Sequence, residues 1–344
     1  MSLETVLLAA GLTMSFITAI ILGGNDAAEP TDCAVGAGVI SIRNAVILFA
    51  IFTAVGAMTQ GFMVMKTIGR GIVPEISIAG AFTAVAATSI WVFSVSRMGY
   101  DISVTHAITG AVIGYGVIAF GIEKINFYIL YMTILSWVTS PIASMLLAAL
   151  FYRVLIGVIK KFKIDVYSER FEKALSYLLI GSLAFSAYAF GANDIANATG
   201  VYVTVAAKLG RMPDYNAMLL LAAFGSAGIA IGGFTIGPRV IRTVAFRVTR
   251  LNVISGLAAE LSNALVVYLF TTLPYYLIGF GLPISTSLAT VGSIVGVGLS
   301  SGGRRGINIG VVSRLMGLWI LTVPASATLS ITIYLILKAL LLVS

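Results

Sequence analysis

Hydrophobic positions run along this chain in long blocks rather than in strict alternation. The apolar segments fall at 3–24, 44–65, 76–96, 101–120 and 126–158, and then at 174–200, 215–236, 252–273, 282–300 and 311–343. About 20 apolar residues in a helix cross a hydrocarbon core of ~30 Å. The pattern therefore predicts an all-α polytopic membrane protein. The two sets of five also match in detail. Asn44-Ala45-Val46-Ile47-Leu48-Phe49-Ala50-Ile51-Phe52 leads to Gly56 and Gly61-Phe62. Asn216-Ala217-Met218-Leu219-Leu220-Leu221-Ala222-Ala223-Phe224 leads to Gly228 and Gly233-Phe234 at the same spacing. Further on, Ser103 pairs with Ser285, and Gly110, Gly114 and Gly116 pair with Gly292, Gly296 and Gly298. Trp137 pairs with Trp319, and Pro141 with Pro324 after a one-residue slip. Apolar composition can mimic one such match but not an ordered series. The expected organisation is a membrane repeat over 1–156, a basic linker over 157–173 and a second repeat over 174–344.

Polar residues interrupt these blocks at matching places. The first repeat reads Gly23-Gly24-Asn25-Asp26-Ala27-Ala28, and the second Gly191-Ala192-Asn193-Asp194-Ile195-Ala196-Asn197-Ala198. An ionised Asp at the centre of a spanning helix costs on the order of 3 kcal/mol and marks a binding or transport path by default. A second pair of phrases joins the third and fourth segments of each half. It reads Tyr100-Asp101-Ile102-Ser103-Val104-Thr105-His106 and Leu282-Pro283-Ile284-Ser285-Thr286-Ser287-Leu288. These segments form either two full crossings or a re-entrant helical hairpin. In the hairpin, irregular backbone sits deep in the membrane, where it is tolerated only beside protein or a cavity. Paired broken segments in two halves point to a transporter's binding site.

Composition sharpens this picture. Of 344 residues, 59% are hydrophobic and 10% charged, with mean hydropathy +1.04; soluble domains carry roughly 25% charged residues. The net charge of +8 is read as basic loops on the cytoplasmic side rather than as a nucleic-acid surface. The one cysteine, Cys33, excludes an intrachain disulfide. Glu4 stands where a cleavable signal would be basic, so the first helix is expected to be retained. The cluster Arg153, Lys160, Lys161, Lys163, Arg170 and Lys173 assigns the linker to the cytoplasm. Inverted repeats then put 14 Lys and Arg inside against 6 outside, with both termini outside; parallel repeats give 13 against 8. Positive-inside bias favours inversion.

The chemistry follows from the residue types. A Ser/Thr-rich phrase that opens a helix offers hydroxyl donors beside free N–H groups at the positive end of a dipole, which suits an oxyanion. Two facing tips, with Ser103, Thr105, Ser285, Thr286 and Ser287, would surround a tetrahedral anion. Bare carboxylates at Asp26 and Asp194 would repel it unless a cation intervened. Sodium fits carboxylate, amide and backbone oxygens at a helix break, with Asn25 and Asn193 beside the acids. A carboxylate also accepts a hydrogen bond from a protonated anion, which favours phosphate over sulfate. Interhelical hydrogen bonding is the plain alternative for the hydroxyls, and close packing for the glycines. For His106 a proton-accepting role and a packed imidazole stand level. Arg97 reads as a snorkelling interfacial cation. Glu29, Asp32 and Asp101 divide evenly between cation handling and helix-end solvation. An intramembrane protease would need a Ser–His dyad, and His106 follows Ser103 by only three residues. A channel leaves the Asn-Asp phrases beside hydroxyl tips unexplained.

These residues resemble the inorganic phosphate transporter (PiT) family. Gly191 to Ala198 and Gly281-Leu282-Pro283-Ile284-Ser285-Thr286-Ser287 match its duplicated signatures closely, and Gly256-Leu257-Ala258-Ala259-Glu260-Leu261 resembles its second-half glutamate helix. The resemblance spans essentially the whole chain. It implies a non-enzymatic, cell-membrane phosphate symporter driven by sodium or protons, built from two inverted-topology repeats with helical hairpins and assembled as a homodimer. The implied cation set is Asn25, Asp26, Asn193, Asp194, Asn197 and Glu260; no prosthetic group is expected. Proton-coupled phosphate or metal-phosphate symport, and sulfate permeation, are the alternatives. The first repeat departs from the pattern. Glu29, before Pro30, replaces the second Asn, and Asp32 replaces a Gly. Asp101 replaces a Pro, Val104 the first Thr, and Thr53 a membrane-embedded Glu. In the second repeat Leu288 stands in place of His.

Overall fold

The computed structural model describes residues 3–98, 102–208, 215–245, 252–302 and 309–340. Tyr100, Asp101, Arg211, Arg247, Arg250, Arg304 and Arg305 lie outside the described residues. The helices are α1 (Leu3–Asp26), α2 (Asp32–Gly36), α3 (Ile42–Gln60), α4 (Phe62–Lys66), α5 (Ile78–Arg97), α6 (Val104–Phe120) and α7 (Phe127–Lys161). They continue as α8 (Glu169–Thr199), α9 (Val203–Lys208), α10 (Tyr215–Thr235), α11 (Gly237–Thr243), α12 (Val253–Ile278), α13 (Thr286–Gly302) and α14 (Ile309–Ala339). Among the described residues there is no strand. Among the described residues, eight helices are long and apolar enough to cross a membrane: α1, α3, α5, α7, α8, α10, α12 and α14. The protein is a multi-pass membrane protein.

The ten apolar segments of the sequence therefore divide into eight long helices and two shorter ones. Helices α6 and α13 have 17 residues each, about 25 Å at 1.5 Å per residue, short of a ~30 Å core. They are the return arms of helical hairpins whose first arms are α5 and α12. The second hairpin turns after Gly279, whose φ of 80° closes α12 in the left-handed region, where glycine pays no Cβ penalty.

Packing obeys a two-fold exchange of the repeats, which relates α1 to α8, α3 to α10, α5 to α12, α6 to α13 and α7 to α14. Helix α3 lies on α8 as α10 lies on α1; α12 lies on α8 as α5 lies on α1. Each hairpin's return arm rests on the last helix of the other repeat, α13 on α7 and α6 on α14. The two inverted-topology repeats thus embrace rather than stand side by side. Glycines make these crossings possible. A Cβ on Gly110 or Gly114 would lie 2.4 and 2.3 Å from the carbonyls of Val323 and Ala327. Its counterparts on Gly292 and Gly296 would lie 2.3 and 2.1 Å from those of Pro141 and Met145. Apolar helices gain no hydrophobic attraction from one another in lipid, so such close backbone approach carries much of the association. Gly116 faces the Val73 and Ile125 side chains instead.

Candidate functional site

The first helix of each repeat delivers the Asn-Asp pair differently. Helix α1 ends at Asp26, and a turn with Glu29 and Pro30 follows before α2. Pro30 lacks an N–H and disfavours helix at the preceding residue, which accounts for the break. In the second repeat, Ile195-Ala196-Asn197-Ala198 sustains the helix, and α8 runs unbroken through Asn193 and Asp194 to Thr199. A single 3-10 turn, Gly200–Tyr202, follows. The sequence pattern suggested a break at both pairs; the structure has one at Asp26 and displaces the other by about two turns. Asp26 is buried and Asn25 half-buried.

Along α8, three side chains project buried oxygens into one region. Asn193 Nδ2 donates to Thr271 Oγ1 at 2.9 Å and to the Leu282 carbonyl at 3.1 Å. Asn197 Nδ2 donates to Thr105 Oγ1 at 3.0 Å and to Asp194 Oδ1 at 2.7 Å. These acceptors fix both amides, so that Asn193 Oδ1, Asn197 Oδ1 and Asp194 Oδ2 are left as acceptors with no hydrogen-bond partner among the described residues. All three side chains are essentially inaccessible, and Thr105 and Thr286 stand beside the Asp194 carboxylate. Buried oxygens without donors are costly. A hard cation, which takes carboxylate and carbonyl ligands, would relieve all three.

The hydroxyl tips arrive from both hairpins. Ser103 and Ser285 are helix N-caps, their Oγ atoms accepting from the His106 and Leu288 N–H groups, each at 3.3 Å. A capping hydroxyl still has its own proton to donate. The third residue of each tip, Thr105 or Ser287, carries a hydroxyl that crosses to the opposite repeat: Thr105 meets Asn197 of α8, and Ser287 donates to the Glu29 carboxylate. Glu29 follows Asp26 by three residues as Asn197 follows Asp194. The two contacts are therefore images of one another. Trp137 on α7 joins the tips, because its Nε1 donates to the Pro283 carbonyl at 2.8 Å while the His106 ring lies 3.9 Å from its own. The His106 imidazole is thus stacked on Trp137.

Other candidates fall outside this centre. Glu260 on α12 sits with Asp32 and Cys33 of α2, and beside Ser186. Ser186 precedes Asn193 by seven residues on α8, about 10 Å. A narrow crevice, too tight for a water molecule and lined by Glu29, Pro30, Ser186, Phe190, Asn263, Val267 and Thr286, lies between. Arg97 is exposed at the end of α5, with its guanidinium over the Phe93 ring. Sequence reasoning missed Thr271, Trp137, Ser186 and Asn263. Thr271 and Asn263 were visible as polar interruptions of an apolar helix, but only the fold assigns them partners.

Known proteins resemble this chain along most of its length. The model of the family described as "Phosphate transporter family" matches residues 22–330. A protein of Pyrococcus horikoshii named "putative phosphate permease" is 30% identical, covering 95% of this chain and 96% of its own. One from Haemophilus influenzae with the same name is 26% identical over 94% of each. A solved structure described as "the sodium-dependent phosphate transporter" superposes with a TM-score of 0.83 at 27% identity, covering 97% of this chain and 99% of that one.

Proposed function

The chain belongs to the phosphate transporter family, and we propose that it is a secondary active symporter importing inorganic phosphate on a cation gradient, with sodium as the cation. The observation that carries this reading is the set of three unpartnered buried oxygens on Asn193, Asp194 and Asn197, bordered by hydroxyls from both hairpins. The oxygens coordinate sodium; phosphate then accepts from Ser103, Thr105, Ser285 and Thr286, and from Ser287 once its hydroxyl turns away from Glu29, and donates to Asp194 and Asp26. In this reading Asn25 and Asp26 serve a second cation from the first repeat. Glu260 handles a cation farther along the path. The cation screens the carboxylates from the anion, so each ligand raises the other's affinity, which is the requirement of coupling. The sodium-dependent neighbour supports the same ion.

The remaining expectations join this proposal. The repeats span 1–156 and 174–344 around a cytoplasmic linker at 157–173, the termini face outside, and the protein works as a homodimer in the cell membrane. Glu29 favours one variant of the reading, proton-coupled symport, because it places a titratable carboxylate where the second repeat has neutral Asn197. Uptake of labelled phosphate into proteoliposomes under imposed sodium or pH gradients decides between them. Sodium-driven accumulation is expected; equal flux with neither gradient would end the symport reading. Arsenate, which carries protons, should compete better than sulfate. A site built to pair with a donor leaves its acceptor unpaired when the analogue lacks one. Sulfate competing equally would instead support a sulfate permease.

A further inference from the structure

Away from the crossed hairpin contacts, Asp32, Cys33 and Glu260 bring one ligand atom each to within 4.8 Å of one another, all three side chains being buried. Asp32 opens α2, the short helix after the α1 break, and Glu260 lies on α12; α2 packs on both α12 and α8. Two further atoms point to a missing ligand. Glu260 Oε1, on a side chain only 2% exposed, has no hydrogen-bond partner among the described residues. One turn on, Asn263 Oδ1 is buried in the same condition at the edge of the crevice.

We propose that Asp32, Cys33 and Glu260 form a binding site for a divalent cation of the zinc class, one that shares Glu260 with the proposed cation path but lies apart from the α8 oxygens and the hydroxyl tips. Ligand chemistry selects the ion. A thiolate is a poor partner for a hard monovalent cation and a good one for zinc or cadmium. Zinc takes Cys sulfur at about 2.3 Å and carboxylate oxygen at about 2.0 Å in a tetrahedron, which sets its ligand atoms roughly 3.5 Å apart. Closing the present trio by about an ångström reaches that spacing, with Glu260 Oε1 supplied with a partner and a fourth position left for water or Asn263. Binding releases the thiol proton to solvent. The ion would tie α2 to α12, across the two repeats, and so restrain the segment that follows Asp26. Zinc is therefore expected to slow phosphate uptake.

The test uses the full chain, purified in detergent and exchanged into metal-free buffer. After incubation with zinc and desalting, about one zinc per chain should be retained. Cadmium should give an ultraviolet thiolate-to-metal charge-transfer band. Cys33→Ser should abolish the band and weaken zinc roughly tenfold or more; Asp32→Asn should weaken zinc and keep the band. The cadmium band of the unaltered protein stands as evidence by itself if a variant fails to fold. Absence of that band, or equal zinc retention by Cys33→Ser, would overturn the site. Neither readout depends on phosphate transport, so the site can fail while the symport reading stands, and the reverse.

Discussion

Asn197 on Thr105 and Ser287 on Glu29 are one contact made twice, once in each repeat's image, and they differ in charge. In the second repeat the partner of the hairpin hydroxyl is an amide, locked between Thr105 and Asp194 inside a continuous helix. In the first it is a carboxylate, seated in the turn after α1 stops at Asp26. The amide donates to the hydroxyl; the carboxylate accepts from it. A two-fold fold has thus been given two chemically unequal faces. In the proposed reading the second face serves as a fixed cation cage, and the first offers a carboxylate that exchanges a proton. Duplication sets the geometry of such a site, and single substitutions then divide the work.

The largest effect should come from the paired acids. Asp194→Asn removes the one formal charge from the α8 oxygens and turns an acceptor of Asn197 into a competing amide. A charged hydrogen bond is worth about 1.5–3 kcal/mol, so sodium-driven uptake should fall by up to roughly 100-fold. Asp26→Asn leaves Glu29 as a neighbouring carboxylate, three residues on. Its loss should be nearer tenfold, about 1.4 kcal/mol. Initial rates in proteoliposomes at fixed sodium measure both. Equal losses would mean that the two faces are equivalent after all.

How much of this was legible beforehand divides along physical lines. The apolar blocks, the duplication and the polar phrases are written in residue order, because burial in lipid demands them locally. The glycines at 110, 114, 292 and 296 could be read as close packing, but not as packing on the opposite repeat's last helix. Partnership across a two-fold axis has no local signal. The same holds for Glu260, which the glutamate-helix resemblance drew toward the cation set, whereas its neighbours in the fold are Asp32 and Cys33. Continuity of α8 through Asn193 and Asp194 was also misjudged. An Asn-Asp pair weakens a helix only slightly, and the proline that ends the first copy has no counterpart in the second.

A smaller effect should follow from making the halves alike. Glu29→Asn keeps a hydrogen-bonding partner for Ser287 but removes the titratable carboxylate. Uptake should change by less than roughly tenfold, while its dependence on pH flattens, because a neutral side chain at this position mimics the protonated acid at every pH. The converse, Asn197→Glu, should introduce a pH dependence and weaken sodium binding, since the donor to Asp194 is replaced by a like charge. Uptake profiles across pH at saturating sodium read both. An unaltered profile in Glu29→Asn would remove its carboxylate from the coupling.

The smallest predicted difference is none, at the two caps. Ser103 and Ser285 make the same contact at the same distance, accepting the N–H three residues on and opening α6 and α13. Replacing a capping serine by alanine costs about 1 kcal/mol, and each cap also holds its first turn's N–H groups toward the place proposed for the anion. Ser103→Ala and Ser285→Ala should therefore each raise the phosphate KM by roughly fivefold, the equivalent of that energy, and by similar factors. Threonine in place of either serine keeps an oxygen acceptor and a hydroxyl donor, so it should restore most of the affinity. In charge the two faces differ at Glu29 and Asn197, within one contact. If that contact alone carries the asymmetry, the caps beside it must behave as a matched pair. Should one alanine variant lose phosphate affinity more than tenfold beyond the other, the asymmetry would extend to the hairpins themselves, and Trp137, which grips the Pro283 carbonyl of one tip and the His106 ring of the other, would be the place to look for its cause.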